Sequence, residues 1–243
     1  MADIVLGMGE VGSTIFGLVE SRGHACVGID VDPSRSRAGD ATGVDFLHVC
    51  IPGGLEAFQE MVLEHARTYR PNAILIHSTV RPGTAAALQA KTEIPVVSAP
   101  ARGVHHRFMQ DMVRYTKFVA CDIEPGPKVV SGIEGRFVKV AWMSSTKAVE
   151  LAKILTDTTY YGWLINYAQI TAMICQREGI DYDEMWTFAD EIHRYLGNRP
   201  KMFPGIIGGH CVIPNLSLID YEELQAVQTI NEIFREHKGQ DSP

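Results

Sequence analysis

Two groups of residues in this chain carry recognisable chemistry. The first is GMGEVG, in which Gly7, Gly9 and Gly12 stand between an apolar strand-like run and a helical one. Glycine in the first place permits a tight turn. In the second it lets backbone N–H groups approach a phosphate. In the third it lets the helix pack close, with its positive N-terminal end facing the anion. Glu10 and Val11 complete the loop, and the Glu10 carboxylate has to point outward or it opposes the ligand. Asp30 ends the next apolar run, close to the ~20 residues onward that a ribose-binding carboxylate requires. It would accept bonds from the ribose hydroxyls and repel a 2′-phosphate, which predicts NAD over NADP, although Arg35 is placed to help a 2′-phosphate. A similar turn that binds S-adenosylmethionine, or no dinucleotide at all, stays open.

The second group surrounds Cys211 in PGIIGGHCVIPN. A free cysteine is most often a small apolar filler. Here Gly205, Gly208 and Gly209 let backbone N–H groups approach a thiolate or an oxyanion, and His210 or Lys153 is available to stabilise it. Lys153 and Asp157 stand at i and i+4. They form either a surface ion pair worth ~0.3 kcal/mol or, in a cleft, an amine whose burial lowers its pKa while the carboxylate opposes the shift. His105, His106 and Arg107 make a basic cluster, read as a solvated loop or as an anion clamp. His77 and Cys50 read as packing residues.

The elements that must position these residues fall into two halves. DIVLGM, ACVGID, FLHVCIP, AILIHST, PVVSAP and KFVACD are short apolar runs bounded by Gly or Pro, alternating with helical stretches. That pattern predicts an α/β fold with a Rossmann-type parallel sheet carrying helices on both faces, over residues 1–143. VVSGIEG and FVKVAW are candidates for two further strands. Residues 144–237 are predicted to form an all-helical domain with one long central helix, capped by Ser145 or Thr146 and stopped at Gly179. Residues 238–243 are predicted to be a frayed tail. Between Tyr160 and Ile174 the long helix is apolar on nearly every face, and such a helix must be buried all round. The sequence therefore predicts a homodimer paired through the helix at 145–178.

A net charge of −7 without a Lys/Arg block argues against nucleic-acid or anionic-membrane partners. Five scattered cysteines without a C-x-x-C spacing argue against a disulfide framework or a zinc site, and for a reducing, cytoplasmic setting. No apolar run approaches the ~20 residues of a membrane span. A small-molecule substrate is the expected partner.

In GMGEVG, GIDVDPSR, VCIPG, HSTVRPGT, VELAKILTDT and PGIIGGHCVIPN, in that order, the chain resembles the nucleotide-sugar dehydrogenases, the family of UDP-glucose and UDP-N-acetylmannosamine 6-dehydrogenases. SAPARG also resembles, more distantly, the β-hydroxyacid dehydrogenases. The first resemblance implies oxidation of a primary alcohol to a carboxylate with two NAD, through a thiohemiacetal and a thioester on Cys211. It implies that Lys153 handles the alcohol proton or the oxyanion, that Thr79 positions water, and that Asp30 and Arg35 contact the ribose. Pro52 and Thr79 join the implied cofactor contacts. Asp157 and Asn215 exchange the Asn and Asp that the family places after its lysine and cysteine, keeping one carboxylate and one amide. Ala101 and Arg102 stand where the family has a glutamate that assists thioester hydrolysis. The family's second Rossmann-like domain has no counterpart here, which implies a smaller alcohol or aldehyde, or a partner that completes the site. The competing readings are a non-redox dinucleotide-binding protein or transferase, and a single-hydride dehydrogenase or reductase of β-hydroxyacid type.

Overall fold

The computed structural model describes residues 1–39, 42–196, 203–209, 211–219 and 224–240. Seven strands form one sheet: β1 (Ala2–Leu6), β2 (Cys26–Ile29), β3 (Val44–Val49), β4 (Ala73–Ile76), β5 (Val96–Ser98), β6 (Lys117–Cys121) and β7 (Val140–Trp142). Their order is β2-β1-β3-β4-β5-β6-β7. All neighbours are parallel except β5 and β6, which pair antiparallel with Ser98 opposite Ala120. The strand order reverses between β1 and β3, and open sheets of this kind bind ligands outside the carboxyl ends of the strands at such a point.

Helices cover both faces, so the strands are apolar on both. Ile15 and Leu18 of α1 (Glu10–Ser21), Met112 of α4 (Phe108–Arg114) and Ile133 of α5 (Pro127–Arg136) pack with Val5, Phe46 and Leu75 on one face. Val62 of α2 (Phe58–Tyr69) and Leu88 of α3 (Thr84–Gln89) pack with Ile4, Leu47 and Ile74 on the other. The run VVSGIEG is part of α5 and not a strand. Pro127 opens the helix at its first position, where a missing N–H costs nothing. Val129 and Ile133 are spaced for one helix face.

Two compact units divide after Lys153, ten residues later than the 143/144 boundary expected from sequence. The reason lies in α6 (Thr146–Ala152), which is bonded into the sheet unit. Thr146 donates through its N–H (2.9 Å) and its hydroxyl to the Asp122 carboxylate. Glu150, buried, accepts from the N–H groups of Gly83 (2.6 Å) and Ala85 (3.0 Å) at the start of α3. Ser145 caps α6 by accepting from the Ala148 N–H at 3.2 Å.

The long helix predicted over 145–178 is present as one continuous helical run from Thr146 to Glu178, with a π-helical turn inside it. α6 passes into a π-helical turn at Lys153–Thr159, and α7 runs from Tyr160 to Glu178, ending at Gly179 with φ +67°. Thr156, Thr158 and Thr159 crowd this turn, and the Thr158 hydroxyl donates to the Ile154 carbonyl at 2.9 Å, a local bond that competes with helix geometry. The second unit continues with α8 (Tyr182–Leu196), α9 (Val212–Leu216) and α10 (Ala226–Gln240). Its core gathers Ile154, Ile207, Val212, Leu216, Ile219 and Val227. Residues 238–240, expected to fray, continue α10, and 241–243 lie outside the described residues.

Candidate active site

In the sheet unit the glycine turn is built as its spacing predicts. Gly7 has φ +89°, and a Cβ there would stand 2.9–3.0 Å from Ile51 and Cys50. A Cβ on Gly12 would meet the Gly7 carbonyl oxygen at 1.7 Å, so α1 lies against the turn only because that atom is missing. Gly9 faces open space and caps α1 without a side-chain bond, which leaves backbone donors facing outward. The turn therefore fits a pyrophosphate. Glu10 is exposed, as the loop requires, and Val11 is half-buried against the core.

Asp30 locks the turn to the end of β2. It accepts from the Met8 N–H at 2.6 Å and from the Asp32 N–H at 2.9 Å, which leaves lone pairs for ribose hydroxyls. Arg35 pairs with Asp32 at 3.5 Å, both exposed. Hydrogen bonds from Ser34 hold the Asp32 carboxyl below its usual pKa, and Asp30 and Asp32 bring two carboxyl groups together at the end of β2.

The loops after β3 and β4 meet through another close approach. A Cβ on Gly53 would lie 2.1 Å from the Thr79 carbonyl oxygen, and the Ser78 hydroxyl donates to the Ile51 carbonyl at 2.5 Å. Pro52 is exposed and Thr79 half-buried at this edge. Glu150, which no sequence pattern singled out for this role, pins the turn after Thr79 to α6, the helix that ends beside Lys153.

In the helical unit Cys211 is exposed and caps α9, whose first turn bonds back from the Asn215 N–H to the Cys211 carbonyl at 3.1 Å. The Asn215 amide reaches the Thr158 hydroxyl at 3.5 Å, so the cysteine segment and the π-helical turn carrying Asp157 belong to one local structure. Gly162 makes this possible, because a Cβ there would meet Val212 at 2.7 Å. The chain just before the cysteine is clamped by buried amides. Asn231 accepts from the Ile207 N–H (2.7 Å) and donates to its carbonyl (3.0 Å), and Gln169 donates to the Gly205 carbonyl (2.7 Å). Sequence reasoning missed this clamp, whose signal is three amides (Asn166, Gln169, Asn231) on otherwise apolar helix faces.

Lys153 and Thr79 belong to the sheet unit; Cys211, Asp157 and Asn215 belong to the helical unit. Arg107 pairs with Asp111 at 3.1 Å, so the proposed anion clamp has its strongest cation already engaged. His210 and the side chain of His105 lie outside the described residues. Among the described residues no His/Cys/Asp/Glu group could hold a metal ion, and no helix is long and apolar enough to cross a membrane.

No protein-family profile and no curated protein matches the chain. Solved structures do. UDP-D-ManNAc dehydrogenase from Pyrococcus horikoshii is 18% identical with a TM-score of 0.81, over 99% of this chain and 70% of that one. UDP-glucose dehydrogenase from Pyrobaculum islandicum is 18% identical with a TM-score of 0.72, over 96% and 68%. Psf3 in complex with NADP+ and 2-OPP is 15% identical with a TM-score of 0.65, over 97% and 95%. The chain thus shares its fold with 68–70% of the length of these two dehydrogenases and with 95% of the length of Psf3.

Proposed function

We propose that the chain is an NAD-dependent oxidoreductase acting on a primary alcohol or aldehyde, with Cys211 as a covalent nucleophile. The observation that carries this reading is the glycine turn, open at Gly9 and closed by Asp30 at the end of β2. The cofactor, when bound, supplies the hydride acceptor. Lys153 takes the proton of the alcohol. The Cys211 sulfur adds to the aldehyde carbon as a thiohemiacetal; loss of that carbon's hydride to a second NAD and of its hydroxyl proton to solvent would convert it to a thioester, which a water that Thr79 positions cleaves, returning the thiol and releasing a carboxylate. Asp157 and Asn215 supply the carboxylate and the amide beside it.

One observation favours a second reading, a single hydride transfer. Here Ala101 and Arg102 provide no base for thioester hydrolysis. The stoichiometry of NADH per substrate separates the two: two under the first reading, one under the second. Cys211→Ser is expected to keep NAD binding and to lose the covalent intermediate, seen by mass spectrometry after a single turnover, with kcat down at least ~100-fold. Unchanged turnover removes Cys211 from the mechanism. NAD binding without hydride transfer to any alcohol or aldehyde points instead to a binding protein or transferase.

We further infer a homodimer through 145–178, because α7 exposes Tyr160 (58%), Tyr161 (51%) and Tyr167 (59%). Tyr167→Glu is expected to shift sedimentation from dimer to monomer. A wild-type monomer at micromolar concentration refutes the pairing.

A further inference from the structure

The face of the sheet that packs on α1 and α5 carries a line of buried ionisable side chains. Asp3 on β1, His48 on β3, His77 just beyond β4 and Lys117 on β6 are each at most 6% exposed. They are joined end to end. Arg136 donates twice to the Asp3 carboxylate, and His48 Nε2 lies 3.1 Å from the same group. His48 Nδ1 is 2.8 Å from His77 Nε2, and His77 Nδ1 is 3.0 Å from Lys117 Nζ and 2.9 Å from the Ala99 carbonyl oxygen.

Placing hydrogens on these contacts leaves two arrangements of one proton. Asp3 accepts only, because the His48 and Arg136 bonds outweigh burial and hold its pKa at about 2, so His48 carries hydrogen on Nε2. In the first arrangement His77 donates from Nε2 to His48, and a charged Lys117 donates to His77 Nδ1. In the second His77 donates from Nδ1 to Ala99, Lys117 is a neutral amine, and His48 is an imidazolium facing Asp3. The two differ by a concerted step in which Lys117 N–H breaks as His77 Nδ1–H forms, and His77 Nε2–H breaks as His48 Nδ1–H forms. No atom is gained or lost. One proton also brings the cluster to neutrality, since Arg136 and that proton balance Asp3 and Asp45, which accepts from Arg136 at 2.8 Å.

The line has a direction. Asp3 lies near the amino end of β1, whereas the antiparallel register of β6 carries Lys117 past Ser98 to the carboxyl edge, where its Nζ donates to the Pro100 carbonyl at 3.2 Å. Beside it is a cavity of about 10 Å³ lined by Pro100, Arg102, Met112, Tyr115 and Thr116, room for roughly one water. The other groups that act on Lys117 are Cys50, which favours its charge, and Lys153, which opposes it. Phe137 lies 5.1 Å from the amine, and the charge of Asp3 acts on the Cys26 thiol.

We propose that Asp3, His48, His77 and Lys117 form a one-proton relay that passes a proton through the ring of His77 between His48 and the cavity beside Lys117, at the ligand-binding edge of the sheet. The relay lies wholly within the sheet unit and does not depend on the reading of Cys211.

The test is a pH titration of the full-length ¹⁵N,¹³C-labelled protein, following the His48 and His77 ring nitrogens and the Lys117 Nζ and Cε resonances. Two results are expected. One midpoint is common to the proton shared by His48 and Lys117, and below it their fractional protonations sum to one while His77 populates both tautomers. In Lys117→Met the proton moves wholly to His48, and in His77→Gln the state of His48 no longer changes when Lys117 is replaced. Separate midpoints overturn the relay, as does a proton held entirely on one group with His77 fixed in one tautomer. If either variant fails to fold, the wild-type titration decides alone.

Discussion

The two faces of the sheet solve the same packing problem differently. On the α2/α3 face Ile4, Leu47, Ile74, Ile76 and Val96 are fully buried and wholly aliphatic. On the α1/α5 face equally buried positions hold Asp3, His48, His77 and Lys117 between Val5, Phe46 and Leu75. Alternation along each strand sends odd and even residues to opposite faces, so one set of strands carries an apolar core and a charged line with no backbone difference between them. An aliphatic face stabilises in proportion to the area it removes from water. A charged line stabilises little in net terms, and its members depend on one another for solvation. Apolar burial on both faces holds the sheet together, and the charged line within the second is retained at a cost in stability.

The comparison breaks most readily at Arg136. Arg136→Met leaves Asp3 buried without its guanidinium, and should lower stability by about 3–5 kcal/mol at pH 7 in urea unfolding. Ile74→Ala on the opposite face should cost about 3 kcal/mol through the lost transfer energy and the cavity left behind. Acid separates the two. The folded-state pKa of Asp3 is lowered from 3.8 to about 2, so the stability it contributes is present above 3.8 and is lost as pH falls towards 2. The Arg136 loss should shrink over that range, because protonating Asp3 removes the charge that needed a partner. The Ile74 loss should not change with pH. Equal pH dependence in the two variants contradicts the assignment of the buried charge to Asp3.

What could be read from sequence follows the same division. The glycine turn was legible because each glycine answers a backbone demand that spacing records: a positive φ at Gly7, a carbonyl 1.7 Å from the Cβ position of Gly12, and open space at Gly9. The sheet was legible because its strands are apolar runs. The relay was not, because its members contact one another across 45, 29 and 40 residues of sequence, and each stands alone inside a run that otherwise reads as core. Only the register of five strands brings them into line. The π-helical turn escaped for a related reason, since three threonines near Asp157 lower helix propensity without saying which distortion follows. The run VVSGIEG was misread because β-branched pairs suggest strands, while Pro127 and the spacing of Val129 and Ile133 hold the better signal.

The smallest expected effect is the most informative about the charged face, because it has the opposite sign. Burial lowers the Lys117 amine from 10.5 to about 7, with Lys153 adding to the shift and Cys50 opposing it. Between those values the unfolded chain binds a proton that the folded chain does not, so this group makes stability rise with pH from about 7 to 10.5 and applies its full cost below 7. Lys117→Met, which keeps the side-chain length and removes the ammonium, should therefore stabilise the protein, by about 1 kcal/mol or more at pH 6. The gain should fade as pH approaches 10.5. Cys50, pushed up by burial to about 12, does not titrate in this window. His77 acts further down the scale: burial, helped by Lys117 and His48, holds it well below 6.5, so stability is lost as pH falls below 6.5 and the unfolded chain takes up a proton that the buried ring refuses. A Lys117→Met variant less stable than the parent at pH 6 means that the ammonium is a net attraction in the core, which reverses the contrast between the two faces.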